Sequence, residues 1–234
     1  ERLIRDRKRV ALFVPKAARV AVWERDLRRY LPYLSGKEYS NLAIFNHTDL
    51  LRKGEYPASL QRVKEMADVI VIDEAHHFRN PGLRGEEDEI KSRYWTLSDM
   101  AQGKTVFMLT ATPVNNRLLD FQHMIELLTQ RKADYFKAAP LGIHSLPGHF
   151  RKLEKALERI IESKGGKTEE GVNVQTNQVE AEEVLWNDEL FRTIVVQRSR
   201  AYVKESQEQH GVSKAIFPEK KKPKVVPYNL KKTY

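Results

Sequence analysis

Asp73 and Glu74 stand side by side at the end of an apolar run, in ADVIVIDEAHHFRNP from Ala67 to Pro81. Ionised carboxylates are costly to bury unless they are paired or bound to a metal. The run must therefore surface at Asp73, or a cation must meet the pair. Two adjacent carboxylates suit two kinds of work. One is holding Mg²⁺, which takes one or two carboxylates together with phosphate oxygens and waters. The other is orienting and deprotonating a water that attacks a phosphate. The plainer reading is a helix N-terminus that carries favourable acids.

The elements that must position this pair can be read from the apolar pattern. Val10–Val14, Asn41–Phe45, Val69–Ile72 and Thr105–Leu109 are short, apolar runs that read as buried strands. Helical spacing separates them. Val20, Trp23, Leu27, Tyr30 and Leu31 recur ahead of Pro32, and Leu60, Val63 and Met66 follow. Strands alternating with amphipathic helices predict an α/β fold, a parallel sheet with helices on both faces. Chemistry in such sheets gathers at the carboxyl ends of the strands. Pro15-Lys16, Asp73-Glu74 and Thr110-Ala111-Thr112 all fall at such ends.

Leu118, Phe121, Ile125 and Leu128 predict one more helix on the sheet. Beyond Gln130 the chain is punctuated by Gly and Pro, then helical at Phe150, Leu153, Leu157 and Ile160. Ser163 to Gly171 reads as a polar loop. Helices are expected near Val184–Ile194 and Ser199–Gln209, and a strand at Val225–Asn229. Residues 1–130 thus form the sheet region, 131–197 a helical insertion, and 198–234 an Arg-bearing helix with a basic linker.

The 234 residues suit one large domain, or one domain with an appendage. There is no cysteine, which excludes disulfides and thiolate zinc sites and suits a reducing compartment. No apolar segment reaches membrane-spanning length. Lys and Arg outnumber Asp and Glu by 41 to 32, for a formal charge of +9, which favours a polyanionic partner such as nucleic acid. The chain opens at Glu1 without Met and reads as an internal piece of a longer intracellular protein.

VIDEAHHFRNP with FMLTATPVNN resembles motifs II and III of superfamily-two helicase-like ATPases of the Swi/Snf DNA-translocase type. VALFVPKAARVAVWERDL is similar to motif Ia of that family, and NLAIFNHTDLLR to the strand and turn that meet the nucleic-acid backbone. VVQRSRAYV resembles its Arg-rich helix, and IFPEKKKPKVVPYNL the stretch leading to a second lobe. The likeness is weakest from Gln130 to Asn187. It implies a partial first RecA-like lobe that works with ATP and Mg²⁺ on double-stranded DNA and against a second lobe. A bacterial member is implied by the TATPVNN variant, and with it a cytoplasmic, nucleoid-associated location; a eukaryotic member would be nuclear.

Carried over by position, the resemblance has Asp73 hold Mg²⁺ through water and Glu74 position the hydrolytic water. His76 would report nucleotide state, and Thr110 and Thr112 would couple hydrolysis to movement. Lys16, Asn46, His47 and Thr48 would approach DNA phosphates, while Arg198 and Arg200 brace the lobes. Two positions depart from the family pattern: Ala111 replaces the usual Gly, and Gln197-Arg198 the usual double Arg.

The family also needs a phosphate-cradling GxxxxGK[ST] loop. AQGKT has Ser98 where the upstream Gly belongs and precedes a strand. KGGKT has Ile161 there and is followed by Glu-rich sequence. Neither qualifies, so the loop is expected upstream of Glu1, and this piece alone is expected to be catalytically inactive. His76-His77 lacks a third ligand at zinc spacing. The acidic run Glu86–Glu89 reads as solvated surface, Lys220–Lys224 as a linker or a DNA contact, and Trp186 and Phe191 as core. The rival functions are an RNA helicase, a restriction-type motor with the same acidic core, or an interaction module that kept the fold without the chemistry.

Overall fold

The computed structural model describes residues 1–32, 41–51, 56–84, 91–111, 118–163 and 178–196. Its centre is a four-stranded parallel sheet of β1 (Val10–Val14), β2 (Leu42–Asn46), β3 (Val69–Ile72) and β4 (Thr105–Met108), in spatial order β2-β1-β3-β4. The register aligns Phe13 with Phe45 on one side and with Ile72 on the other, and Ile72 with Met108. Every residue of β1 is buried, as expected for an inner strand covered on both faces. This is a RecA-like α/β arrangement, as the alternation of apolar runs predicts.

From β1 the chain moves outward to β2, then returns past β1 to β3. The direction of winding therefore reverses between β1 and β3. The loops that leave their carboxyl ends diverge there and open a crevice. The residues after β1 and after β3 are thus neighbours because of topology, although more than fifty positions separate them.

The connection after β1 is not a plain α-helix. Lys16–Ala18 (α2) runs into a π-helical stretch, Arg19–Glu24, and then into Arg25–Tyr30 (α3). Bonding from i to i+5 widens the turn and shifts which side chains share a face. Val20 and Tyr30, expected on the apolar face, are 67% and 64% exposed for this reason. Leu27 and Leu31 do pack inward, with Ile4 of α1 (Arg2–Arg5) and Leu42.

Helix α4 (Tyr56–Met66) precedes β3, and α5 (Arg93–Met100), which the sequence reading did not assign, precedes β4. Tyr94, Leu97 and Met100 of α5 are buried at a three-residue spacing. Lys104, from the GKT of the first candidate phosphate loop, donates to the carbonyls of Lys64 and Ala67 at 2.7 and 2.9 Å. It thereby caps the C-terminal end of α4. It sits at the amino end of β4, and the acidic pair sits at the opposite end of the sheet. The second candidate loop lies outside the described residues.

Helices α6 (Leu118–Leu128), α7 (Leu146–Ser163), α8 (Gln178–Trp186) and α9 (Glu189–Ile194) follow. Phe121 of α6 meets Phe150 and Phe191 at ring distances of 5.9 and 5.5 Å, so the helical region through Arg192 packs with the sheet as one unit. The single helix expected over Val184–Ile194 is two. Asp188 interrupts it, and its Oδ1 accepts the Phe191 N–H at 2.9 Å as the cap of α9. Trp186, expected in the core, is 52% exposed, while Phe191 is buried. Of the second unit, Thr193–Tyr234, only residues 193–196 are described. The expected helix at Ser199–Gln209, the strand at Val225–Asn229 and the runs Glu86–Glu89 and Lys220–Lys224 lie outside the described residues. Among the described residues no helix is long and apolar enough to cross a membrane.

Candidate active site

The apolar run of β3 does surface at Asp73. The Asp73 N–H continues the ladder by donating to the Phe13 carbonyl at 2.8 Å, and the Ala75 N–H donates to the Leu109 carbonyl at 2.9 Å. The turn is thus tied to strands on both sides, and its two acids are half-buried at the carboxyl end of β3.

Each oxygen of Asp73 accepts one hydrogen bond. Oδ1 receives the Glu74 N–H at 3.0 Å, and Oδ2 receives the indole Nε1–H of Trp23 at 2.7 Å. A carboxylate oxygen has two acceptor positions. Both oxygens therefore keep capacity for water bound to a cation.

Glu74 adopts φ 48° and ψ 50°, the left-handed region that side chains other than glycine rarely enter. Strain of this kind persists where the surroundings over-determine it. Here it turns the Glu74 side chain back towards His76, whose Nδ1 lies 3.1 Å from Glu74 Oε2. That oxygen is buried, and His76 Nδ1 stands within ion-pair range of it without completing a hydrogen bond. The same His76 Nδ1 lies 3.3 Å from Thr110 Oγ1 just beyond β4. His76 thus links the acid turn to the next strand end. A backbone test follows from the positive φ. Glu74→Gly and Glu74→Ala both delete the carboxylate, yet the Gly variant should be more stable by about 1 kcal/mol in urea unfolding.

Asp73, Glu74, His76, Thr110 and Trp23 form one cluster. Thr112, Arg198 and Arg200 lie outside the described residues. Lys16 is exposed on the first turn after β1, at the same end of the sheet. The turn after β2 is partly reversed from expectation. Asn46 and His47 are only 8% and 3% exposed, so of the three expected phosphate contacts in this turn Thr48 alone faces solvent. The physical reason is Asp49, which is fully buried. Its Oδ2 accepts from the Asn46 backbone N–H at 2.7 Å and from Asn46 Nδ2 at 3.1 Å, drawing Asn46 inward. His47 then packs edge-on against Phe78 at 4.9 Å and His77 at 5.5 Å.

Burial, and then the neighbouring His77, push the His47 pKa down from 6.5 to about 4, against smaller opposing effects of the Asp73 and Phe13 carbonyls. The folded protein therefore keeps this ring neutral where the unfolded chain would protonate it. Stability is complete above about pH 6.5 and is lost as pH falls from there towards 4. The loss from this ring should reach at most about 2 kcal/mol between pH 7 and 5. His47→Gln should flatten that part of the pH–stability curve measured by denaturant titration; an unchanged slope would assign it to other groups.

The donor set fits Mg²⁺ bound through water. It consists of the hard carboxylate oxygens of Asp73 and Glu74, and both Asp73 oxygens keep an acceptor position. Among the described residues no group of three or more His, Cys, Asp or Glu could hold a metal alone, so waters, joined by phosphate oxygens when nucleotide is bound, would complete the shell. Sequence reasoning missed two contributors. Trp23 was placed among core residues, and its contact with Asp73 spans fifty positions that spacing does not reveal. Asp49 was passed over in a polar turn, although an Asp three residues after Asn46 is a recognisable local acceptor pattern.

Compared with known proteins, residues 4–115 match the family described as type III restriction enzyme, res subunit. The match covers just under half of the chain and contains every described member of the cluster. That family is a helicase-like ATPase lobe of superfamily two, to which the sheet region is therefore similar. The search of curated proteins found no match.

Proposed function

We propose that this chain is part of the first lobe of an ATP-driven motor that tracks along the backbone of double-stranded DNA. The reading is carried by one arrangement. Asp73 and Glu74 emerge at the point where the winding of the sheet reverses, and His76 connects Glu74 to Thr110 on the adjoining strand end. Asp73 holds the water shell of the metal. Glu74 orients the attacking water and accepts its proton. His76 passes the state of that carboxylate to the turn after β4, where Thr110 and Thr112 would meet the moving parts. Mg²⁺, when bound with ATP, neutralises charge developing on the phosphates.

The chain contains no GxxxxGK[ST] loop. Turnover therefore requires that loop, and a second lobe braced through Arg198 and Arg200, within the working protein; residues 1–234 alone should not hydrolyse ATP. Contact with DNA falls to exposed groups such as Lys16 and Thr48. Binding through phosphates is salt-dependent and weakly sequence-specific. The net charge of +9 is in keeping with that.

Two motor types share this core. The Swi/Snf-type translocase rests on the resemblance of the Arg-bearing segment VVQRSRAYV and on the helical insertion; a restriction-type motor rests on the family match over residues 4–115. ATPase assays of the complete motor test the substrate class. Stimulation by duplex DNA of any sequence, fading as salt rises, is the expected result. Stimulation by RNA alone would point to an RNA helicase, and no hydrolysis with either would point to an interaction module.

A further inference from the structure

The geometry points to Trp23 as a positioning residue for the metal-holding carboxylate, delivered to it by the π-helical stretch after β1. The inference rests on the reading of Asp73 as the metal-holding group. Three observations carry it. The indole Nε1–H reaches Asp73 Oδ2 at 2.7 Å, a short charge-assisted hydrogen bond. Trp23 lies inside the π-helical residues Arg19–Glu24, a rare conformation found often at functional sites. The Glu74 N–H already holds Oδ1. Together the two donors fix the carboxylate plane and leave one acceptor position on each oxygen for metal-bound water.

The π turn is what makes this reach possible. It sets Trp23 facing Asp73 while leaving Val20 and Val22 exposed instead of packed. Trp23 itself is half-buried, so its ring covers one side of Asp73 and limits bulk water there. Partners that orient a metal-binding group commonly cost about 10–100-fold in metal affinity when removed.

The test uses nuclear magnetic resonance on the 234-residue chain, with Mn²⁺ alone as probe. The chain has three tryptophans, so three indole N–H signals are expected. Paramagnetic Mn²⁺ should broaden the Trp23 indole and the Glu74 amide before the Trp95 and Trp186 indoles. In Trp23→Phe, the Mn²⁺ concentration that halves the Glu74 amide signal should rise about tenfold. Trp186→Phe, which alters an exposed ring, should leave that concentration unchanged, and thermal unfolding of each variant separates lost metal affinity from lost stability. A purely structural Trp23 would lower stability without moving the Mn²⁺ midpoint, and that result overturns the inference. Asp73→Asn distinguishes the two levels. If it weakens Mn²⁺ broadening while Trp23→Phe does not, only the role of Trp23 is lost. If neither variant changes the midpoint, the assignment of Asp73 falls, and the inference with it. Uniform broadening of all three indoles in the unaltered chain overturns both without any substitution.

Discussion

Glu74→Gln in the complete motor should lower ATP turnover by about 10³, within the range typical of a lost general base. ATP binding should stay near that of the unaltered protein. Gln keeps the size and the backbone amide of Glu74, so the hydrogen bond from that amide to Asp73 Oδ1 is retained. What disappears is the basic carboxylate, and with it the charge 3.1 Å from His76 Nδ1. Single-turnover hydrolysis, set beside equilibrium binding of labelled ATP, measures the two quantities separately. Hydrolysis at near-normal rate would remove Glu74 from the chemistry. A parallel loss of binding would instead show that the substitution disturbs the Asp73 carboxylate. The comparison has to be made in a protein with the phosphate loop, because that loop, rather than this turn, supplies most of the grip on nucleotide.

Phe13→Ala should cost about 3–5 kcal/mol of folding stability, at the upper end for a core truncation. Phe13 is fully buried at the centre of β1, stacks on Phe45 with ring centroids 5.4 Å apart, and lies in register between Phe45 and Ile72. A cavity there has strands on both sides that cannot close over it without breaking ladder hydrogen bonds. The loss is a large share of the 5–15 kcal/mol typical of whole domains. The site should suffer too, since the Phe13 carbonyl takes the Asp73 N–H at 2.8 Å. Urea unfolding should show a lower midpoint at unchanged slope. A loss below about 1 kcal/mol would mean that β1 is not the load-carrying centre of the sheet.

The sequence was sufficient for the sheet. Val10–Val14, Val69–Ile72 and the runs around Ala43 and Val106 are too short for helices, so strand formation follows from local composition. The expected burial holds for inner strands β1 and β3, whereas Ala43 of edge strand β2 and Phe107 of edge strand β4 are exposed. The placement of Asp73 and Glu74 at a surface followed for the same reason: burial of the pair would have been prohibitive. The exact strand limits moved by a residue, with Asn46 joining β2 and Leu109 leaving β4, because ladder bonds to neighbours set the ends.

Other features were decided only by tertiary structure, and each involves partners distant in the chain or a departure from standard periodicity. The apolar spacing of Val20, Trp23 and Tyr30 fits an α-helix, but the π turn rotates those side chains to different faces. His47 looked like a surface group in a polar turn, yet packing against Phe78 and His77 buries it. Lys104 carried a phosphate-loop signature and serves to cap a helix formed forty residues earlier. Sequence fixes which residues can do chemistry, because charge and size belong to the residue. Which of them meet is set by the reversal of winding between β1 and β3, a property of the whole sheet that no local window contains.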